Sequence, residues 1–194
     1  MKKLILVGGG GHCRSCIDVI ESTKEFKIIG ILDEGLARGD SIYEYKCIGN
    51  DMDIAELSSK DYYFLVCIGQ IYSSAIREKC FSLIKKYNGK LATVISPRAW
   101  VAKGATIGEG TIIMHDALVN AGAAIGTNCI INTKSLIEHD AIIDNNCHIS
   151  TGAIVNGGAR VGSSSFVGSG SVLVQSSIVP KGYFVKALSI YVSK

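Results

Sequence analysis

From Ile95 onward, every sixth residue of this 194-residue chain is aliphatic: Ile95, Val101, Ile107, Ile113, Val119, Ile125, Ile131, Ile137, Ile143, Ile149, Val155, Val161, Val167, Leu173 and Val179. An α-helix, with about 3.6 residues per turn, cannot keep such a series on one face. A triangular β-solenoid can. Each hexad is then one short flat strand with its turn, and three hexads close a coil of about 18 residues. Two residues before the central members sit small side chains, among them Ala117, Ala123, Cys129, Ser135, Ala141, Cys147, Ala153 and Ala159. The aliphatic residue is expected to fill the prism interior and the small one a corner. The last stretch, Lys181–Lys194, reads as a short C-terminal tail.

Residues 1–92 follow a different grammar. Apolar runs at Lys3–Val7, Lys27–Leu32 and Tyr62–Ile68 read as buried strands, and His12–Thr23 and Ser73–Tyr87 as helices. That alternation predicts a small parallel sheet of the doubly wound, Rossmann-like α/β type. The chain is therefore expected to divide into an α/β substrate-binding domain, 1–92, and an all-β left-handed parallel β-helix, 93–194. A β-helix used only as a scaffold or ice-binding surface is the bland alternative. It lacks support, because regular Thr ladders are absent and an α/β segment comes first.

Composition removes several function classes. Lys plus Arg number 20 against 17 Asp plus Glu, with no concentrated basic stripe, so no nucleic-acid partner is expected. No apolar run approaches the roughly 18 residues of a membrane span, and Leu4–Val7 is too short for the core of a secretion signal. Seven scattered cysteines suit free thiols in a reducing cytoplasm.

Gly8-Gly9-Gly10-Gly11-His12 follows a strand and opens a helix, a geometry that lets backbone N–H groups hold phosphate. The dinucleotide fingerprint fails in both registers, because Cys13 or Arg14 takes the last glycine position. The loop therefore reads as a cradle for a nucleotide-linked or anionic sugar; a tight turn without ligand is the alternative. Asp33 ends the next strand, where it can accept hydrogen bonds from a ribose, base or sugar. Cys13-Arg14-Ser15-Cys16 has the spacing of a redox or metal motif but lacks the second Cys pair of a structural zinc site.

Acyl transfer from a thioester needs a base beside the nucleophile. Of the solenoid histidines His115, His139 and His148, His139 is flanked by Glu138 and Asp140, which can orient the imidazole and raise its basicity. A coil of 18 stacks it between Ala121 and Gly157, leaving a notch beside the base. His148 stacks on Ile130 and Phe166, a more crowded place. Half a coil separates His139 from His148, so the two are expected on different faces, cooperating only across subunits. A three-faced prism favours a homotrimer with sites between its subunits.

Ile5–His12 (ILVGGGGH), Gly30–Asp33 (GILD), Ile68–Arg77 and Ile131–Ser150 resemble the hexapeptide-repeat sugar O- or N-acetyltransferases. That family includes the sialic acid O-acetyltransferases and the UDP-4-amino-sugar N-acetyltransferases. The resemblance implies acetyl-CoA as co-substrate with no metal, and direct attack by a sugar amine or hydroxyl. It implies His139 as general base with Asp140 and Glu138 beside it. Gly10, Gly11, His12, Asp33, Glu34 and Gly69 would bind substrate, and His148, Gly157 and Ser169 the cofactor. The substrate it points to is a UDP-4-amino-4,6-dideoxy sugar of a bacillosamine or legionaminic acid type pathway. O-acetylation of a sialic acid or related nonulosonate is the second reading. From another class, a γ-type carbonic anhydrase-like protein would place His115, His139 and His148 on zinc.

Overall fold

The computed structural model describes residues 1–193. Its first part runs β1 (Lys2–Val7), α1 (Gly11–Thr23), β2 (Phe26–Leu32), β3 (Ser41–Ile42), β4 (Tyr45–Gly49), α2 (Ile54–Ser58), β5 (Tyr63–Val66), α3 (Ala75–Lys86) and β6 (Lys90–Leu91). These strands form one sheet in the order β3-β4-β2-β1-β5-β6, parallel except for the β3–β4 hairpin. Each face buries its own apolar set. Cys13, Ile17 and Ile20 of α1 pack with Leu4 and Leu6 on one side. Ile54 of α2 and Cys80 and Ile84 of α3 pack with Ile5, Val7 and Phe64 on the other. The alternation of Leu4/Leu6 against Ile5/Val7 is the period-2 pleat of a strand buried on both faces.

The expected third strand stops at Val66, and the residues after it turn toward the cavity described below. The β3–β4 hairpin, α2 and β6 are too short to carry a periodic signal, and sequence reading does not reveal them. After β1 the chain must pass close beneath Ile68. Gly8 does so at φ +105°, and a Cβ there would collide with the Ile68 side chain.

Strands β7 (Val94–Ile95) to β23 (Ile190–Tyr191) follow one per hexad. Each residue pairs with those 18 away: Ile131, for example, lies between Ile113 and Ile149. They build the three parallel sheets of a left-handed β-helix. The sixth-residue ladder and its small companions fill the interior, with Ile131, Ile137, Ala141, Cys147 and Ala153 fully buried. Val185 and Tyr191 continue the ladder in phase beyond Val179. Most of the expected tail is thus another part of the coil, its rhythm hidden by an aromatic residue in an aliphatic position. A second sixth-residue series sets the corners. From Gly110 to Leu188 every sixth residue has positive φ, including Asp116, Asn128, Asp140 and Asn146. Glycine, Asn and Asp tolerate that left-handed conformation best.

The outward side chains distinguish the faces. The first carries Val94, Ile112, Ile130, His148, Phe166 and Phe184. Val94, Ile112 and Ile130 share a buried cluster with α1, so the α/β part docks on this face. The second face carries Trp100, Leu118, Leu136, Ile154, Val172 and Ile190. The third carries Thr106, Ala124, Ile142, Arg160 and Ile178. Among the described residues no helix is long and apolar enough to cross a membrane.

Candidate active site

The glycine loop opens onto a cavity of about 580 Å³ at the C-terminal ends of β1, β2 and β5. Gly10 is the N-cap of α1 and has no side chain to cap it. A Cβ on Gly10 or Gly11 would meet nothing within 4 Å, so their backbone lies open to the cavity. Free N–H groups and the positive end of a helix dipole make such a place receptive to anions. Gly10, Gly11, His12, Asp33, Glu34 and Gly69 all line this one cavity, and Lys79 and Asp51 join them. Lys79 Nζ lies 3.1 Å from Asp51 Oδ2, and this contact raises the pKa of the ammonium. These two residues are far apart in sequence and sit in no motif, so only folding brings them together.

Asp33 has a specific job. Its Oδ2 accepts from Gly9 N at 2.6 Å, and its Oδ1 accepts from Gly35 N at 2.8 Å and Leu36 N at 3.1 Å. Most of its acceptor capacity goes to tying the glycine loop to the loop after β2. Glu34 beside it is the exposed carboxylate.

His139 stands on the corner between the second and third faces, after Leu136–Ile137 and before Ile142–Ile143. Its Nδ1 lies 2.9 Å from Asp140 Oδ2, and this hydrogen bond, reinforced by the two neighbouring charges, raises the imidazole pKa. With Nδ1–H donated to Asp140, Nε2 carries the free lone pair. Glu138 faces elsewhere: its Oε2 accepts from the His139 backbone N–H at 3.2 Å and from Asn120 Nδ2 at 2.8 Å. It holds the corner and leaves the ring to Asp140. The ring lies over Gly157, where a Cβ would come within 2.6 Å of Nε2.

His148 is only 7% exposed, on the first face beneath the α/β part. Its Nδ1 donates to Gln70 O at 2.6 Å, and its Nε2 faces Asn132 Nδ2 at 3.1 Å. Burial lowers its pKa to about 4, so the ring is neutral at pH 7 with both nitrogens engaged. Asn132, to which the sequence reading assigns no role, keeps one amide hydrogen uncommitted beside it. Ser169 Oγ pairs with Ser150 Oγ at 2.9 Å on the corner between the first and second faces. Gly157 and Ser169 therefore occupy different corners of one chain. His115 is engaged on both nitrogens, by Ser96 Oγ at 2.6 Å and Asp18 Oδ2 at 2.8 Å. Among the described residues no three His, Cys, Asp or Glu side chains converge on a metal-sized gap.

One relation dominates the layout. The cavity belongs to the part docked on the first face, whereas His139 stands on the corner opposite that face. Within a single chain His139 and the cavity point away from each other.

Known proteins give the same outline. Residues 3–84 match the family model described as the PglD N-terminal domain. The UDP-N-acetylbacillosamine N-acetyltransferase of Bacillus subtilis (strain 168) is 31% identical over 116 residues, 59% of this chain. The match spans about half, 52%, of that relative's length. The acetyltransferase domain of PglB from Neisseria gonorrhoeae FA1090 superposes with a TM-score of 0.93 at 28% identity, covering 100% of this chain and 93% of that one. That domain has also been solved in complex with acetyl coenzyme A. A single-residue variant of GDP-perosamine N-acetyl transferase from Caulobacter crescentus, in complex with CoA and GDP-perosamine, gives a TM-score of 0.92 at 25% identity, over 99% of this chain and 89% of that one.

Proposed function

We propose, from the premise that this chain belongs to the hexapeptide-repeat sugar acetyltransferase family, that it transfers the acetyl group of acetyl-CoA to the amine of a UDP-4-amino-4,6-dideoxy sugar. The observation that carries the reading is the His139–Asp140 pair over Gly157: an oriented imidazole whose ring occupies the space above the glycine and whose Nε2 is left free.

In this mechanism the nucleotide diphosphate lies against the backbone of Gly10 and Gly11, in the cavity completed by His12, Glu34 and Gly69. Asp33 keeps the two bordering loops in register. His139 Nε2 takes a proton from the amine as the amine attacks the thioester carbonyl. The other proton stays on Nδ1, donated to Asp140, whose negative charge stabilises the imidazolium that forms. The C–S bond breaks, CoA leaves as the thiol after protonation, and no acyl-enzyme forms. Negative charge growing on the carbonyl oxygen needs a donor. His148 has no spare N–H, so Asn132, held by His148, is the group we assign to it.

Because base and cavity face apart in one chain, a complete site takes His139 from one subunit and the cavity from the next, in a homotrimer. The second face supplies an apolar stripe for that contact. The test is thiol release from acetyl-CoA against a panel of UDP-4-amino sugars and free or CMP-linked sialic acids. Turnover on a UDP-amino sugar is expected; turnover on the nonulosonates alone would overturn the N-acetylation reading.

A further inference from the structure

The cavity opens at the C-terminal ends of the parallel strands, and the opposite end of the same sheet is basic. Lys2 and Lys3 begin β1, Lys27 is the second residue of β2, and Lys90 begins β6. Lys24 is the C-cap of α1, next to Glu25, whose carbonyl accepts from Lys2 N at 2.9 Å. All five lysines are exposed. Two concavities join them: Lys2, Lys3 and Lys90 line one of about 280 Å³, Lys24 and Lys27 one of about 460 Å³, and Met1 lines both. In the sequence these lysines are spread between residues 2 and 90, so only folding gathers them into one face.

Within the chain this gathering costs more than it returns. Lys3 and Lys27 are register partners in neighbouring parallel strands, on the same side of the sheet. Like charges side by side oppose strand pairing. Among the described residues Lys2, Lys3, Lys24 and Lys27 form no ion pair. Nearby carboxylates are already engaged: Asp61 pairs with Lys90 at 2.5 Å, and Glu21 accepts from Tyr45 Oη at 2.7 Å, which leaves Glu25. The ammonium groups stand over aromatic rings instead. Lys2 Nζ is 5.6 Å from the centre of Phe26 and 5.5 Å from that of Tyr63, Lys90 Nζ is 5.6 Å from Tyr63, and Lys3 Nζ is 5.8 Å from Tyr62. Such contacts pack the apolar stems below and keep the charges at the surface.

We propose that this face binds the surface of a lipid bilayer rich in anionic phospholipid. Its chemistry favours a membrane over a nucleic acid. The cations are all lysines, point charges suited to a flat array of phosphates, with no arginine fork among them to read a base edge. Phe26 is buried, and Tyr62 and Tyr63 are half-buried beneath lysines, so no ring is free to stack on a base. Tyrosine and lysine together are the residues that settle at headgroup level, where each lysine is held by the negative surface potential. The strands between the two ends are about 20 Å long. A chain bound by its basic end therefore keeps the cavity on the far side, open to solvent. The inference is independent of the acetyl-transfer reading.

The test sediments the full chain with vesicles of phosphatidylcholine alone and of phosphatidylcholine mixed with phosphatidylglycerol. Binding is expected to the mixed vesicles only, and it should fade as added salt screens the charges. Lys3→Glu sets a carboxylate beside Lys27, so the variant should keep or raise its Tm. It should nevertheless bind the mixed vesicles roughly fivefold more weakly, or less tightly still. Adding Lys24→Glu should weaken binding again by at least that factor. Lys103→Glu with Arg160→Glu makes the same change in net charge on the exposed solenoid and should bind like the parent. Equal binding to neutral vesicles, binding that survives both lysine replacements, an equal loss in the solenoid variant, or a preference for duplex DNA over the mixed vesicles would overturn the proposal.

Discussion

The corner that carries His139 has to turn through a left-handed backbone, and the residue that makes the turn also holds the imidazole. Asp140 has φ 58°, a conformation that short polar side chains tolerate, and its carboxylate reaches Nδ1 at 2.9 Å. A longer acid is not needed for that reach. His139→Ala should lower turnover by roughly 100-fold or more while acetyl-CoA binding, measured by calorimetry, survives. Asp140→Asn tolerates the same backbone and removes the charge. The His139 pKa, raised chiefly by that hydrogen bond, should then fall. A base with a lower pKa stays neutral to lower pH, so the acid limb of the kcat/KM profile should move down in pH. An unmoved limb would show that Asp140 does not tune the base. His148 makes a prediction about stability. Its folded pKa of about 4 lies below the ordinary imidazole value of about 6.5, so between those values the unfolded chain binds a proton that the native ring refuses. Stability should therefore rise with pH across that window and fall as pH drops through it, by about 3 kcal/mol in all. Urea titrations from pH 7 to 4 should show that loss, reduced in His148→Asn.

At the scale of elements, the stacking of coils lets one residue control another 18 positions away. Gly157 has no positive φ, so its backbone accepts alanine, but the added methyl would lie 2.6 Å from His139 Nε2. Gly157→Ala should cut turnover sharply with little change in Tm; unchanged turnover would mean that the ring has room to move aside. That relation was legible in the sequence, because a period of 18 fixes which residues stack. So were the inward ladder, the buried runs of β1 and β2, and the placement of His139 and His148 on different faces. Contacts made by folding between distant segments were not. Lys79 meets Asp51 through the packing of α3, Arg77 reaches Asn128 across the junction with the solenoid, and Asn132 finds His148 sixteen residues on. Asp33 was legible as a strand-end carboxylate, but its three backbone partners depend on loops with no periodic signal. The coil at Val185 and Tyr191 was legible in phase and masked in chemistry.

At the scale of the whole molecule, the three faces of the prism have different fates. The first is covered by the chain's own α/β part. The second leaves Trp100, Leu118, Leu136, Ile154, Val172 and Ile190 in a stripe about 24 Å long, with Trp100 67% and Ile190 75% exposed. A contiguous apolar stripe of that size marks an interaction surface. On the proposed reading, the opposed directions of His139 and the cavity would give a contact there a chemical purpose, bringing one subunit's base to another's substrate. Leu136 lies near the middle of the stripe, between Leu118 and Ile154. Leu136→Asp would bury an unpaired carboxylate in any contact made there, at a cost of several kcal/mol, while costing a lone chain little. Light scattering should then report a mass near the 20.6 kDa of one chain, with the β signal in circular dichroism retained and turnover lost. A monomeric variant that still turned over would require base and cavity to meet within one chain, and the reading of a site shared between subunits would fall.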